Sequence, residues 1–315
     1  MARRTDDFSP PTDPAIRFAI LGDWGTTRLR LFRVEEGRVV DRVTGPGIGQ
    51  VGGAAEAALA AALEPWMERG GASGLTLCGM AGARDGWHEA PYAPCPADAA
   101  AWAGQAVRFD WRGMRVAILA GLACEGVDGL PDVMRGEETQ IFGACRIDPA
   151  LAHGRRTLIL PGTHNKWCAM EDGRLLSFRT VPTGELFALL RHRSTLAPPS
   201  GAVSDPVAQE DGFAEGLERA GAGKLLPSLF AARAMRLRAG RPDDWAAGYL
   251  SGILIGCEVA DMLAMLGEAD DITLIGDESL TGRYARALGA AGRPARTMDG
   301  DACALAGLQS AGEYA

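Results

Sequence analysis

Residues 18–34 read "FAILGDWGTTRLRLFRV": an apolar run, then "GDWGTT", then a run alternating basic and apolar residues. A hairpin tip needs one glycine, yet this one carries an acid, two glycines and two threonines. Residues 16–22 and 28–34 fit strands, and "EEGRVVDRVT" adds a turn at Glu36–Gly37 and a third strand. Asp23 then lies at the carboxyl end of the first strand. Gly25 permits the tight turn, and Thr26 and Thr27 point amides and hydroxyls outward.

The same plan returns at residues 158–181, "LILPGTHNKWCAMEDGRLLSFRTV". An apolar strand, a Gly-Thr turn, a second strand, an acidic-Gly-Arg turn and a third strand follow in the same order, and "EEGRVVDRVT" aligns with "EDGRLLSFRT". One short turn in common means little; three strands in matched order point to duplication. Working outward, residues 54–68 fit a helix, 114–120 a strand, and "RGEETQIFGAC" the start of another helix. After the repeat the chain turns helical through "GELFALLRHRSTL", one long run over 212–238, and residues 245–267, whose glycines would let another backbone come close. "DITLIGDESLTGRYARALGAAG" reads as strand, turn, helix, and "DACALAGLQSAG" as a closing helix. The expectation is an α/β chain of two lobes, each begun by a β-meander. Residues 1–15 form a polar tail, 16–145 the first lobe, 146–300 the second and 301–315 the closing helix.

Composition narrows the function. With 315 residues, two domains fit comfortably. The formal charge of −8 argues against nucleic acid or an anionic membrane as the main partner. Seven scattered cysteines without a CxxC pair suit reduced thiols in a cytoplasm better than zinc or a disulfide framework. The longest apolar stretch, "YLSGILIGCEVADMLAML", carries Glu258 and Asp261 and reads as too polar to span a bilayer.

Backbone N–H groups gathered in a turn bind phosphate oxygens, and a carboxylate beside them can hold a hydrated Mg²⁺. Asp23, Gly25, Thr26 and Thr27 supply both. Gly162 and Thr163 would offer a second set of donors, but Leu160 or Pro161 stands where Asp23 stands, so only the first turn brings a metal-side carboxylate. Two such turns across a cleft would clamp a nucleotide's phosphate tail. Between them, "MRGEETQ" offers Glu137 or Glu138 as acceptor for an alcohol proton, though acids in a first helical turn also simply suit the helix dipole. The loop "GMAGARDGWHEAPY" gathers Arg84, Trp87, His88, Glu89 and Tyr92, a mixture suited to a small sugar acid or to anchoring the loop on the core. Arg135 and His164 join the candidate substrate contacts, with Arg179 and Glu185 behind them. Lys166 could approach a transferring phosphoryl group or be a solvated surface charge. Gly276, where a strand meets a helix, could lie against adenosine or serve packing alone.

The turns "GDWGTT" and "GTHNKW" with the later "IGDES" resemble the phosphate-1, phosphate-2 and adenosine motifs of the actin-like ATPase superfamily. More closely, "LGDWGTTRLR", "GMAGARDGWHEAPY", "RGEETQIFGA", "LPGTHNKW" and "FRTVPTGELFALLRHRSTL" resemble the 2-dehydro-3-deoxygalactonokinase family, from about residue 18 onward. The resemblance implies a two-lobed, ribonuclease H-like fold and ATP and Mg²⁺ as cofactors. It further implies phosphorylation of the C6 hydroxyl of 2-dehydro-3-deoxy-D-galactonate, in galactonate breakdown in the cytoplasm. Sugar acid and ATP are then the small-molecule partners, and a homodimer is the one macromolecular partner this reading admits. In glycerol kinase-like enzymes the base is an aspartate in "GDQ"; here the region reads "GEETQ", which favours Glu137, the residue directly after the glycine. Three alternatives compete: a kinase for another sugar acid or polyol, a non-catalytic nucleotide and sugar-acid sensor, and a phosphatase of the same fold. A ribokinase-type reading of "MDGDACALAG" fails because Asp299 would put negative charge where phosphate must sit.

Overall fold

The computed structural model describes residues 17–68, 71–126, 129–197, 204–266 and 271–313; the tail expected over residues 1–15 lies outside them. Strands β1 (Phe18–Trp24), β2 (Arg28–Glu35) and β3 (Arg38–Pro46) form the first antiparallel meander. Helices α1 (Ile48–Val51) and α2 (Ala55–Met67) lead to β4 (Ala72–Gly79), parallel to β1. The chain continues through β5 (Tyr92–Pro94), α3 (Ala99–Gly104), β6 (Val107–Trp111) and β7 (Met114–Ile118). The first sheet thus has the order β3-β2-β1-β4-β7-β6. Strands β8 (Gly121–Glu125) and β9 (Pro131–Met134) join β5 in a small second sheet, and α4 (Glu137–Ile147) follows.

The second meander is β10 (Arg155–Leu160), β11 (Asn165–Glu171) and β12 (Arg174–Val181). Helices α5 (Thr183–Arg193), α6 (Pro206–Ala220), α7 (Leu225–Ala239) and α8 (Asp243–Leu266) come next. Then come β13 (Ile272–Gly276), α9 (Glu278–Ala290), β14 (Ala295–Asp299) and α10 (Gly300–Glu313), completing the sheet β12-β11-β10-β13-β14. The matched meanders each open a sheet, as the repeat in the sequence requires.

Both sheets are covered on both faces, which is why their strands read as apolar runs. On one face of the first sheet, Ile20, Leu29 and Leu75 pack on Leu59, Leu63 and Trp66 of α2. Ile159, Trp167 and Leu274 of the other sheet pack on the α8 and α9 side. The remaining faces share one core, in which Leu21 and Phe32 of the first sheet and Leu158 and Leu160 of the other meet Phe142 of α4 and Leu308 of α10. Each fully buried side chain of this size contributes roughly 1.5–3 kcal/mol. Helices α4 and α10 cross with backbones in contact: a Cβ on Gly143 would lie 1.8 Å from the Cys303 carbonyl oxygen, and one on Gly307 1.9 Å from that of Thr139.

Details differ from the sequence reading. The first strand runs on through Asp23 and Trp24, so the turn proper is Gly25–Thr27. The long run over 212–238 breaks into α6 and α7 at Gly221–Lys224, with Gly223 at φ +65°. The sequence reading also leaves out strands β5, β6, β8, β9 and β14, of three to five residues each. As expected, glycines in 245–267 admit a neighbour: a Cβ on Gly248 would lie 1.9 Å from the Gln209 carbonyl oxygen in α6. By length and composition α8 passes as a membrane span despite its acids. However, 67% of that window is buried inside the protein, which makes it a core helix.

Candidate active site

The two Gly-Thr turns face one cavity of about 430 Å³. Asp23, Gly25 and Thr26 line one side, Gly162, Thr163, His164 and Lys166 the other, and Gly136 and Glu137 at the start of α4 lie between. Thr27 is exposed and outside this lining.

The first turn is closed by Gly25 N–H donating to the Arg28 carbonyl at 2.9 Å, and α1 braces it from behind. Ile48 and Gly49 N–H donate to the Gly25 and Thr26 carbonyls, both at 3.0 Å. That approach requires Gly47, where a Cβ would lie 2.3 Å from the Thr26 carbonyl oxygen. Asp23 is cross-strand from Arg30, and the two form an ion pair; the same guanidinium reaches Asp301 in the first turn of α10.

The second turn is built to the same plan. Gly162 N–H donates to Asn165 Oδ1 at 2.7 Å, and Glu185 N–H at the start of α5 donates to the Thr163 carbonyl at 2.9 Å. Gly184 makes this approach possible, since its Cβ would lie 2.1 Å from the Gly162 carbonyl oxygen. Lys166 is not a solvated turn residue: it sits on β11 and is 4% exposed. Its Nζ donates to Thr180 Oγ1 at 2.9 Å and lies 3.7 Å from Glu137 Oε1. Thr180 in turn donates its hydroxyl to Asp132 at 2.7 Å.

The two acids of "GEETQ" separate sharply. Gly136, at φ +115°, turns the chain so that Glu137 faces the cavity. Burial raises the Glu137 carboxyl above its ordinary value, and Lys166 draws it part of the way back. Glu138 is fully buried, outside the cavity lining, and both its oxygens accept the Gly136 N–H at 2.8 Å. Burial, then the neighbouring Glu137, pushes its carboxyl up to about 8.

Of the candidate substrate residues, Tyr92 and Arg135 reach the cavity together, the guanidinium 4.3 Å above the ring. Arg135 Nη2 donates to the Ala90 carbonyl at 2.8 Å, while its Nε and Nη1 are buried with no hydrogen-bond partner. That leaves donor capacity for an anion. Trp87 instead packs edge-on against Phe109 and Trp111, at 5.2 and 5.1 Å, on the core of the first sheet. Arg84 and Glu89 are exposed and line no part of the cavity. His164 lines it and holds Glu185 at 2.9 Å through a ring nitrogen. Gly276 ends β13 behind the second turn, where a Cβ would lie 3.5 Å from the Pro161 carbonyl oxygen.

A second cavity, of about 380 Å³, opens from Gly162 and Thr163 between α5, α8 and α9, walled by Phe187, Leu254, Ile255, Leu280 and Tyr284. Sequence reasoning missed it because those residues come from three helices and share no motif. It missed Arg30 as well, although its place opposite Asp23 follows from a short hairpin register. Among the described residues, no group of three or more His, Cys, Asp or Glu side chains could hold a metal ion. Any metal here would therefore lean on Asp23 and the ligand's own oxygens.

The sequence profile of the 2-keto-3-deoxy-galactonokinase family matches residues 23–311. A 2-dehydro-3-deoxygalactonokinase of Escherichia coli (strain K12) is 35% identical over 292 residues, covering 91% of this chain and 95% of the relative. A Rhizobium meliloti (strain 1021) protein assigned the same activity is 36% identical over 296 residues, 92% of this chain and 94% of its own. A solved structure from Sinorhizobium meliloti, assigned as a 2-dehydro-3-deoxygalactonokinase, superposes with a TM-score of 0.82 at 34% identity over 94% of this chain and 98% of that one. The activator of the 2-hydroxyisocaproyl-CoA dehydratase from Clostridium difficile, solved with ADPNP, shares the fold at a TM-score of 0.53 and 11% identity, over 94% of this chain and 95% of its own. Two duplicated meanders, two facing Gly-Thr turns and these likenesses agree: the chain belongs to the 2-keto-3-deoxy-galactonokinase family.

Proposed function

We propose that the chain is an ATP-dependent kinase that phosphorylates the C6 hydroxyl of 2-dehydro-3-deoxy-D-galactonate. The observation that carries this reading is the placement of Glu137 between the two turns, in one cavity with Lys166 and Arg135. The turns at Asp23–Thr27 and Gly162–Thr163 take the phosphates through backbone and hydroxyl donors. Mg²⁺ keeps several waters and needs few protein oxygens, so Asp23 alone fits as its anchor, through water. When bound, the metal neutralises charge on the phosphate tail. Adenosine lies in the cavity between α5, α8 and α9, whose lining does not include Gly276. Arg135 on Tyr92 holds the substrate carboxylate.

Glu137 takes the C6 hydroxyl proton as the oxygen bonds to the γ-phosphorus; the bond from that phosphorus to the bridging oxygen breaks and ADP leaves. The lobes at 16–145 and 146–300 close about α4 and α10. Seven unpaired thiols suit a reducing cytoplasm.

A coupled assay for ADP release tests the reading. Sugar-acid-dependent ADP is expected with Mg-ATP. No stimulation at saturating ATP would sink the kinase reading in favour of a sensor, and phosphate release without sugar acid would favour a hydrolase.

A further inference from the structure

The second turn is held by a buried relay. Glu258 of α8 is 5% exposed. Its carboxylate accepts Asn165 Nδ2–H at 2.8 and 3.1 Å, Trp167 Nε1–H at 2.7 Å and the Tyr284 hydroxyl at 2.5 Å, with the Thr183 hydroxyl as a further donor. The polarity of this relay is determined. Gly162 N–H and Trp167 Nε1–H can only donate. Asn165 must therefore turn its Oδ1 to Gly162 and its Nδ2 to residue 258, which must accept from Asn165 and Trp167. A carboxylate does so on both oxygens; a glutamine with its oxygen towards Trp167 would set its own amide about where Oε2 stands, 2.8 Å from the Asn165 amide, donor to donor. The donors come from β11, α5 and α9, so the one carboxylate ties the turn to Tyr284 and Thr183 of the adjoining cavity.

We propose that Glu258 is a positioning residue for nucleotide binding: it sets the Asn165 amide, Asn165 holds the Gly162 N–H, and the turn then presents its remaining donors in one orientation. This rests on the reading of the second turn as a nucleotide phosphate site. Neutral donors balance a charge that burial disfavours, a costly arrangement for packing alone.

The test is a split of kinetic constants with a polarity-swap rescue. Leaving a buried donor unsatisfied in Glu258→Gln raises the KM for ATP roughly tenfold, while the KM for sugar acid stays within about twofold. In the double variant Asn165→Asp with Glu258→Gln, the carboxylate introduced at position 165 accepts from both the Gly162 N–H and the new amide. The KM for ATP then returns to within about threefold of the parent. A lower melting temperature in Glu258→Gln with no selective change in the ATP constant would overturn the proposal, as would a double variant no better than the single. Should Glu258→Gln not fold, the double variant alone decides, a near-parental ATP constant supporting the relay and a raised one overturning it. Gly184→Ala separates the two levels, because its Cβ displaces the turn directly. An unchanged ATP constant there defeats the reading of the turn itself; a raised one beside an unaffected Glu258→Gln defeats only the role of Glu258.

Discussion

The two halves place a cation at equivalent points and use it differently. In the first, Arg30 lies cross-strand from Asp23 and pairs with it. In the second, Lys166 lies cross-strand from Leu160, which offers no charge. Residues directly opposite on adjacent strands share a face, so each cation meets whatever stands across from it. Arg30 is committed to its own hairpin and to α10. Lys166, with no charge across from it, pairs instead with Glu137, at 3.7 Å. An apolar residue at the strand end thus leaves the second cation to Glu137, the proposed base. The duplication supplied two similar turns; their divergence supplies an asymmetric site.

The comparison can be broken at three points. The largest effect is expected at Glu137, on which both halves converge: Glu137→Gln lowers kcat by about 10²–10⁴-fold and leaves the ATP KM nearly unchanged. Steady-state kinetics check this, and a parental kcat would move the base elsewhere. Next, Lys166→Met and Arg30→Met should part company. Lys166 draws the Glu137 carboxyl down, so without it that carboxyl titrates higher, the deprotonated base is lost at higher pH, and the acid limb of the kcat–pH profile moves up. Arg30→Met leaves that limb in place and alters the Mg²⁺ dependence through Asp23. Identical profiles for the two variants would erase the distinction drawn between the halves. The smallest effect concerns Glu138, which serves the helix start alone. Its folded carboxyl titrates at about 8 against an ordinary 4.5, so the folded state binds the proton more tightly and stability falls as pH rises between these values. Thermal melts across that range should show a shallower decline for Glu138→Gln than for the parent, with similar kcat.

Both turns are legible in the sequence because a turn is a local object: glycine, threonine and strand periodicity sit within a dozen residues. The braces behind them are not. Nothing about Gly47 or Gly184 in isolation says that a backbone lies against it, and that contact is set by where the third strand of each meander ends. The polar loop misleads for a related reason. Composition cannot tell whether Trp87 faces a ligand or Phe109, because Phe109 lies on a separate strand, β6, that only the fold brings beside the loop. Glu258 is visible only as an acid in an apolar helix; its donors lie on elements distant in sequence. Lys166 reads as surface when it is placed in the turn, whereas the strand begins one residue earlier.

The crossing of α4 and α10 sets a tolerance limit beside the cavity. Gly307 touches the Thr139 backbone, two residues from Glu137, so the helix turn that carries the proposed base has a backbone directly behind it and no room to recede. A methyl group at Gly307 or Gly143 would have to push α4 along or apart, and the displacement would reach Glu137 although neither glycine lines the cavity.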